Sequence, residues 1–211
     1  MTSWSDVQLT GRVVRLRLVK RGDESALLEA ANGDRSSYAF TWVPATMAEA
    51  IDHVAAQIDE FESLRAVPFV VEDVVTDRIV GQTRFLDLEF FEDRFVPQLT
   101  PRDPRKPPRA VEIGGTWYSA SVQRSAVNTE CKLLMLAHAF EVWDVERVSL
   151  KTDARNERSR RAIERIGARF EGIRRAHMRA PDATIRDSAY YSIIAAEWPT
   201  VRTALESLLR R

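Results

Sequence analysis

The stretch "VEIGGTWYSASVQRSAVNTECKLLMLAHAFEVW", residues 111–143, decides how this chain is read. It opens as a β-branched and aromatic run and passes through a short polar segment. It continues as a long apolar run of helical character, predicting a helix at about 128–143. Strand, polar turn, helix is an order in which many folds hold a phosphate. The first amides of a helix lack an intrahelical acceptor and lie at the positive end of its dipole. Such loops usually carry glycine, and "QRSAVNTECK" (123–132) has none. On its own spelling the loop reads as an ordinary connection in which Asn128 or Thr129 caps a helix. As a phosphate cradle it would rely on small Ser125 and Ala126 for clearance. Arg124 would supply a cation, and Asn128 would absorb the left-handed turn.

Outward from this stretch the chain alternates strands and helices. "GRVVRLRLV" (11–19) alternates as a first strand, and a short helix follows with Asp23 placed to cap it. Residues 32–45 form a loop rich in aromatics, including Tyr38, Phe40 and Trp42. Thr46 then caps a helix to about Ser63, with Ile51, Val54, Ile58 and Phe61 as its apolar row. "VPFVVEDVV" and "RIVGQTRFLDLEFF" predict a hairpin across "TD". Residues 92–108 hold five of the nine prolines and read as an exposed insertion, because strand patterns continue on both sides. "RVSLKT", "NERSRRAIERIG", "RFEGIRRAH" and "IRDSAYYSIIAA" add a strand, a helix and two strands, and a terminal helix follows Pro199. The order predicts an α/β (α+β) fold with a mixed, mostly antiparallel sheet of about seven strands flanked by helices. Residues 1–211 are expected to form one domain.

Composition excludes several function classes. Thirty-one basic residues balance 31 acidic ones, so no net field draws in nucleic acid or a membrane. Cys131 is the single cysteine, which precludes an internal disulfide and fits a reducing cytoplasm. No stretch is long and apolar enough to span a bilayer, and no signal-peptide core appears at the start. His53, Cys131, His138 and His177 lack metal-ligand spacing, and no metal is expected. Nothing in the sequence fixes the oligomeric state, a homo-oligomer included.

With the 123–132 loop, "NERSRRAIERIGA" and the following "EGIRR" in place, the chain resembles the GNAT superfamily of acyl-CoA-dependent N-acyltransferases. It is most similar to the RimJ/RimL-like branch, over about residues 9–198. The resemblance implies acetyl-CoA or another acyl-CoA as co-substrate, bound by Gln123, Arg124, Ser125, Ala126, Val127, Asn128, Thr129, Asn156, Ser159 and Arg160. It implies a primary amine acceptor, on a protein N-terminus or a small molecule. Two departures stand out. Ala126 and Asn128 occupy the positions where the superfamily loop commonly has glycines, and Ile163 stands where many members have a tyrosine acid. This branch looks instead to place a serine near the sulfur, here Ser159. These departures leave room for a catalytically silent CoA-binding sensor or scaffold as the alternative.

An amine that attacks a thioester must be neutral. An α-amine with pKa about 7.7–8.0 is neutral in about one molecule in six to eleven at pH 7, against about one in 2,500 for a lysine-like amine. Glu112 leads as the base, since alternation sets Glu112, Gly114, Thr116 and Tyr118 on one face of the strand bordering the thioester. Asp187 is the second candidate. Acceptor contacts are expected from Tyr38, Trp42, Tyr118 and Arg105. Basic Arg102, Arg105, Lys106 and Arg109 would admit an acid-bearing acyl group such as succinyl, or form a solvated loop.

Overall fold

The computed structural model of the chain describes residues 5–90 and 106–210. Its elements are β1 (Leu9–Thr10), β2 (Val14–Leu18), α1 (Glu24–Ala31), α2 (Met47–Glu62), β3 (Ala66–Asp73), β4 (Ile79–Glu89), β5 (Ala110–Tyr118) and α3 (Val127–Ala137). They continue with β6 (Arg147–Asp153), α4 (Glu157–Arg165), β7 (Arg169–Arg179), β8 (Ile185–Ile194) and α5 (Trp198–Leu209). Among the described residues the strands form one eight-stranded sheet in the order β1-β2-β3-β4-β5-β6-β8-β7. Every neighbouring pair is antiparallel except β5 with β6. The mixed, mostly antiparallel sheet expected from the sequence is present. The strand beyond the expected seven is the two-residue β1. The insertion at 92–108 lies outside the described residues except for its last three.

β3 is buried along nearly its whole length, which explains why "AVPFVVE" is apolar without alternation: both faces are covered. One face packs on α3 and α5 through Phe69, Phe85, Met135, Leu136 and Leu205. The other packs on α1 and α2 through Val70, Leu27, Val54 and Trp117. Several local expectations are corrected. Ile51 points to solvent; the inner row of α2 is Ala50, Val54 and Gln57. Thr46 does cap α2, its hydroxyl accepting from the Glu49 amide at 3.2 Å. Asp23 precedes α1 but caps none of its amides, because its carboxylate is held by the Arg17 guanidinium at 2.8 Å and by the Lys20 amide at 2.9 Å. The β3–β4 turn is longer than "TD", since Asp73 gathers the amides of Val75 and Thr76. α3 ends at Ala137 and continues as one π-helical turn, His138–Val142.

Glu130, in the first turn of α3, is buried and fixes that helix to the sheet. Its carboxylate accepts from the amides of Arg12 (2.9 Å), Val13 (2.6 Å) and Val14 (2.8 Å) in the turn entering β2. The expected first strand therefore starts at Val14, the preceding residues being folded around this carboxylate. Removing it leaves three donors without an acceptor. Glu130→Ala is expected to lower the unfolding free energy by about 2–4 kcal/mol in urea titration.

Lys132, one residue beyond Cys131, is fully enclosed. Its Nζ donates to Thr116 Oγ1 at 2.8 Å and reaches Thr83 Oγ1 at 3.5 Å. Burial lowers its pKa from 10.5 to about 8. The unfolded chain then binds more protons than the folded one between those two values, so this group makes stability rise with pH across that window. Lys132→Met is expected to raise stability near pH 7 by about 1–3 kcal/mol and to flatten the dependence between pH 8 and 10.5. Denaturant midpoints measured across that range test both.

Candidate active site

The parallel pairing of β5 with β6 covers three positions: Ala110 with Arg147, Val111 with Val148, and Glu112 with Ser149. Beyond them β5 pairs only with β4 and β6 only with β8. The inner edges of Ile113–Tyr118 and Leu150–Asp153 thus face a cleft inside the sheet. β5 ends at the loop before α3, and β6 ends at the turn before α4, so the cleft opens toward two helix N-termini.

A bulge shapes the β5 wall. The register with β4 slips between Gln82–Trp117 and Arg84–Gly114, and Gly115 sits at φ +59°. A Cβ there would meet Arg84 Nε at 2.9 Å, so both backbone and space demand glycine. The bulge reverses the alternation, correcting the expected face. Glu112 and Gly114 share a side with Leu86 and Arg84, toward α2, whereas Thr116 and Tyr118 turn toward α3. Tyr118 packs against the α3 core with its hydroxyl buried, and burial holds its pKa well above the ordinary value.

Glu112 stands where the parallel pairing ends and is 3% exposed. Its Oε2 lies 2.9 Å from Lys151 Nζ across the strand pair. Burial pushes Glu112 from 4.5 up to about 7, against the pull of Lys151. Burial also disfavours the Lys151 ammonium, but Glu112 and Asp87 outweigh it and hold its pKa above the ordinary lysine value. The pair therefore supplies a carboxylate that can exchange a proton near neutrality. Gly114 leaves this group room, since a Cβ there would stand 2.9 Å from Glu112 Oε1.

In the loop, Arg124 takes the left-handed turn (φ +63°), not Asn128, which lies inside the first turn of α3. Ser125 braces the turn: its hydroxyl donates to the Val122 carbonyl at 2.6 Å and accepts from the Val127 amide at 3.2 Å. Ala126 occupies the cap position without a side-chain bond. Val127 and Thr129 are buried, so neither offers a surface side chain. Gln123 ties the loop together: its amide nitrogen donates to Ser37 Oγ at 2.9 Å and to the Tyr118 carbonyl at 3.0 Å. Its Oε1 accepts from Arg158 Nη2 at 2.9 Å, joining the two helix starts.

Asn156 caps α4, its Oδ1 accepting from the Ser159 amide at 3.0 Å. Both residues are half-buried at the cleft end of the helix. Ile163, at the place of the missing tyrosine, is buried in the core. Arg160 is bound within the fold: its Nε donates to Tyr191 Oη at 3.0 Å, and its guanidinium covers the Phe170 ring. Arg158, not singled out from the sequence, is the arginine of α4 that reaches Gln123. No periodicity reveals that, because its partner lies 35 positions away.

The aromatic segment divides. Tyr38 is buried, donates to the Tyr118 carbonyl at 3.0 Å and meets the Trp117 ring edge-on, so it braces the loop. Trp42 is 47% exposed and lies on His53, ring centres 4.9 Å apart. Asp187 is exposed, and its carboxylate accepts from the Ala176 amide at 2.7 Å in the β7 bulge. Arg102 and Arg105 lie outside the described residues, and exposed Arg109 pairs with Glu146. None of the described helices is long and apolar enough to cross a membrane.

Comparison with known proteins supplies the family. Residues 14–169 match the acetyltransferase (GNAT) domain. A provisionally assigned acetyltransferase structure is 31% identical with a TM-score of 0.77, covering 96% of this chain and 93% of that one. A GCN5-related N-acetyltransferase from Brucella melitensis is 25% identical with a TM-score of 0.79, covering 96% and 85%. RimJ from Mycobacterium smegmatis, solved with CoA-disulfide, shares the fold at 20% identity with a TM-score of 0.78, covering 100% and 98%. No curated protein sequence matches at a significant level. A sheet that splits between two parallel strands, with both strands feeding helix N-termini, agrees with the match over 14–169, and the chain belongs to the GNAT acetyltransferase family.

Proposed function

We propose that the chain, acting as one domain, transfers an acyl group from an acyl-CoA to a primary amine on a protein N-terminus or a small molecule. Acetyl is the favoured group. The observation that carries the reading is the cleft between β5 and β6, whose unpaired backbone edge suits an extended amide chain such as pantetheine. The first amides of α3, at Asn128 and Thr129, suit the pyrophosphate, with Arg124 beside them. Gln123, Ser125, Ala126 and Val127 contribute the shape of the loop. Asn156 spends its Oδ1 on the helix cap, which leaves its NH2 to donate to the pantetheine arm, and Ser159 sits beside it for the sulfur.

In the reaction the amine nitrogen attacks the thioester carbon, a C–N bond forms, the C–S bond breaks and the amine gives up one proton. In this reading Glu112, on the α2 side of β5, takes that proton directly or through a water. Burial, set against the pull of Lys151, brings this carboxylate close to neutral pH. The thiolate, with a thiol pKa of about 8.5, leaves without a strong acid, which suits the buried Ile163 in the tyrosine's place. Asp187 is spent on the β7 bulge and supports a structural role better than a base. A succinyl donor remains a narrower version of the proposal. Of the basic insertion, the described Lys106 is exposed and Arg109 is paired with Glu146, which favours a solvated loop.

Asn156→Ala and Ser159→Ala are each expected to lower kcat/KM by about 10-fold or more, with melting shifts too small to account for it. Unchanged kinetics in both would remove this site. Release of CoA thiol with an amine panel tests the reaction itself; CoA binding with no turnover across the panel would support the silent module.

The pH profile tests Glu112. Activity is expected to rise with pH through about 7 as the carboxylate deprotonates, and Glu112→Gln is expected to lower kcat by about 100-fold and abolish that limb. Stability changes in the opposite sense. The folded value lies above the unfolded one, so the folded chain binds more protons between pH 4.5 and about 7, and stability falls as pH rises through that window. Glu112→Gln should flatten that fall.

A further inference from the structure

Arg84, on β4, faces the Gly115 bulge of β5 and has an edge of its guanidinium without a partner. Its Nη1 is bound by Glu60 of α2. Its Nε is buried and has no hydrogen-bond partner among the described residues. The Nη2 on the same edge has no described partner either. Buried donors in folded proteins are nearly always satisfied, so an unpartnered one on the same sheet face as Glu112 points to a ligand. Glycine at 115 keeps this edge from being filled, because a Cβ would stand 2.9 Å from Nε.

The surroundings define what fits. Glu60 fixes the guanidinium from one side and leaves the Nε and Nη2 edge, which is the fork that takes a carboxylate with two parallel bonds. His53 lies on the same face of the sheet, and burial lowers its pKa, disfavouring the imidazolium. Its Nε2 lies 2.8 Å from Gln82 Oε1, which also accepts from Trp117 Nε1 at 3.3 Å. Gln57 Nε2 lies 3.1 Å from the same ring nitrogen, which can serve only one of the two glutamines, and the group carries no charge while the imidazole is neutral. Trp42 lies over His53 with half its surface open, giving an apolar flank. Arg84 and Glu112 occupy the same face of the sheet, one two-residue repeat apart, which is about 7 Å along a strand. A carboxylate held by Arg84 therefore sits a few atoms from the proposed point of acyl transfer.

From this geometry we infer that Arg84 reads a carboxylate carried by one of the two substrates, resting on the acyl-transfer reading above. The carboxylate belongs either to the acyl chain of the donor or to the amine acceptor. Arg84 is then a specificity residue, with Glu60 and Gly115 positioning it. Charge-assisted bonds of this kind separate an acid from its neutral counterpart by about 10- to 100-fold.

Two matched pairs distinguish the sources. In the donor arm, succinyl-CoA is compared with butyryl-CoA on one neutral amine. In the acceptor arm, β-alanine is compared with propylamine using acetyl-CoA. The expected result is at least a 10-fold preference in kcat/KM for the acid in one arm, carried by KM, that collapses toward unity in Arg84→Met. Arg84→Lys, which keeps the charge and loses the fork, is expected to retain an intermediate ratio. No acid preference in either arm, or a preference unchanged in Arg84→Met, overturns the inference. Absence of turnover with every amine would count against acyl transfer. Calorimetric titration of the same pairs, with the amines added to CoA-loaded protein, then decides the carboxylate reading: equal affinity for acid and neutral members overturns it, and an acid preference lost in Arg84→Met sustains it.

Discussion

Beyond Glu112 and Ser149, β5 and β6 cease to share hydrogen bonds. A parallel pair that ends inside a sheet leaves two rows of backbone donors and acceptors to be met from elsewhere. The split survives because each strand is held on its outer side, β5 by β4 and β6 by β8. Glu130 pins the start of α3 to the turn before β2, while Arg160 anchors α4 to Tyr191 on β8. Gln123 and Arg158 then join the two helix starts across the mouth of the cleft. With this frame fixed, the unpaired edges of β5 and β6 are held in place.

The bulge at Gly115 gives the two faces of β5 different chemistry. On the α2 side it leaves Glu112, Gly114 and Arg84 on one face, a carboxylate near its titration point and a guanidinium whose Nε has no partner among the described residues. On the α3 side Thr116 meets the enclosed ammonium of Lys132. Both ionisable groups are displaced by burial toward neutrality, Glu112 upward and Lys132 downward. Their costs differ in sign with pH, since one destabilises the fold as pH rises and the other as pH falls.

Much of the architecture was legible in the chain. The apolar run gave α3 without its cap, which is Ala126 and not Asn128 or Thr129; Thr46 marked the start of α2, and the run "NERSRRAIERIG" located Asn156 and Ser159 at a helix start where the structure has them. Other residues were misplaced for identifiable reasons. Strand alternation put Thr116 and Tyr118 beside Glu112, but a single left-handed glycine resets the period of two, and no spacing in "EIGGTWY" says which glycine bulges. Asn128 was expected to absorb the loop turn on propensity. Arg124 does so instead, four residues earlier, where Ser125 bonds back to Val122 and forward to Val127 and fixes the reversal. Asp23 had the right position for a cap, and a nearby guanidinium outcompeted the helix amides for its carboxylate.

Element order, the covered central sheet and the two helix starts follow from the chain read alone. Those depend on patterns within ten or twenty residues, where hydrophobic periodicity and capping act locally. Which side chains meet at the site depends on the folded arrangement. Lys151 against Glu112, Arg158 against Gln123 and Glu60 against Arg84 are each pairs distant in sequence, brought together by strand register and helix packing. Charge and hydrogen-bond partners of this kind are set by where the sheet splits and where it bulges. Both are properties of pairing between strands and are written in neither strand alone.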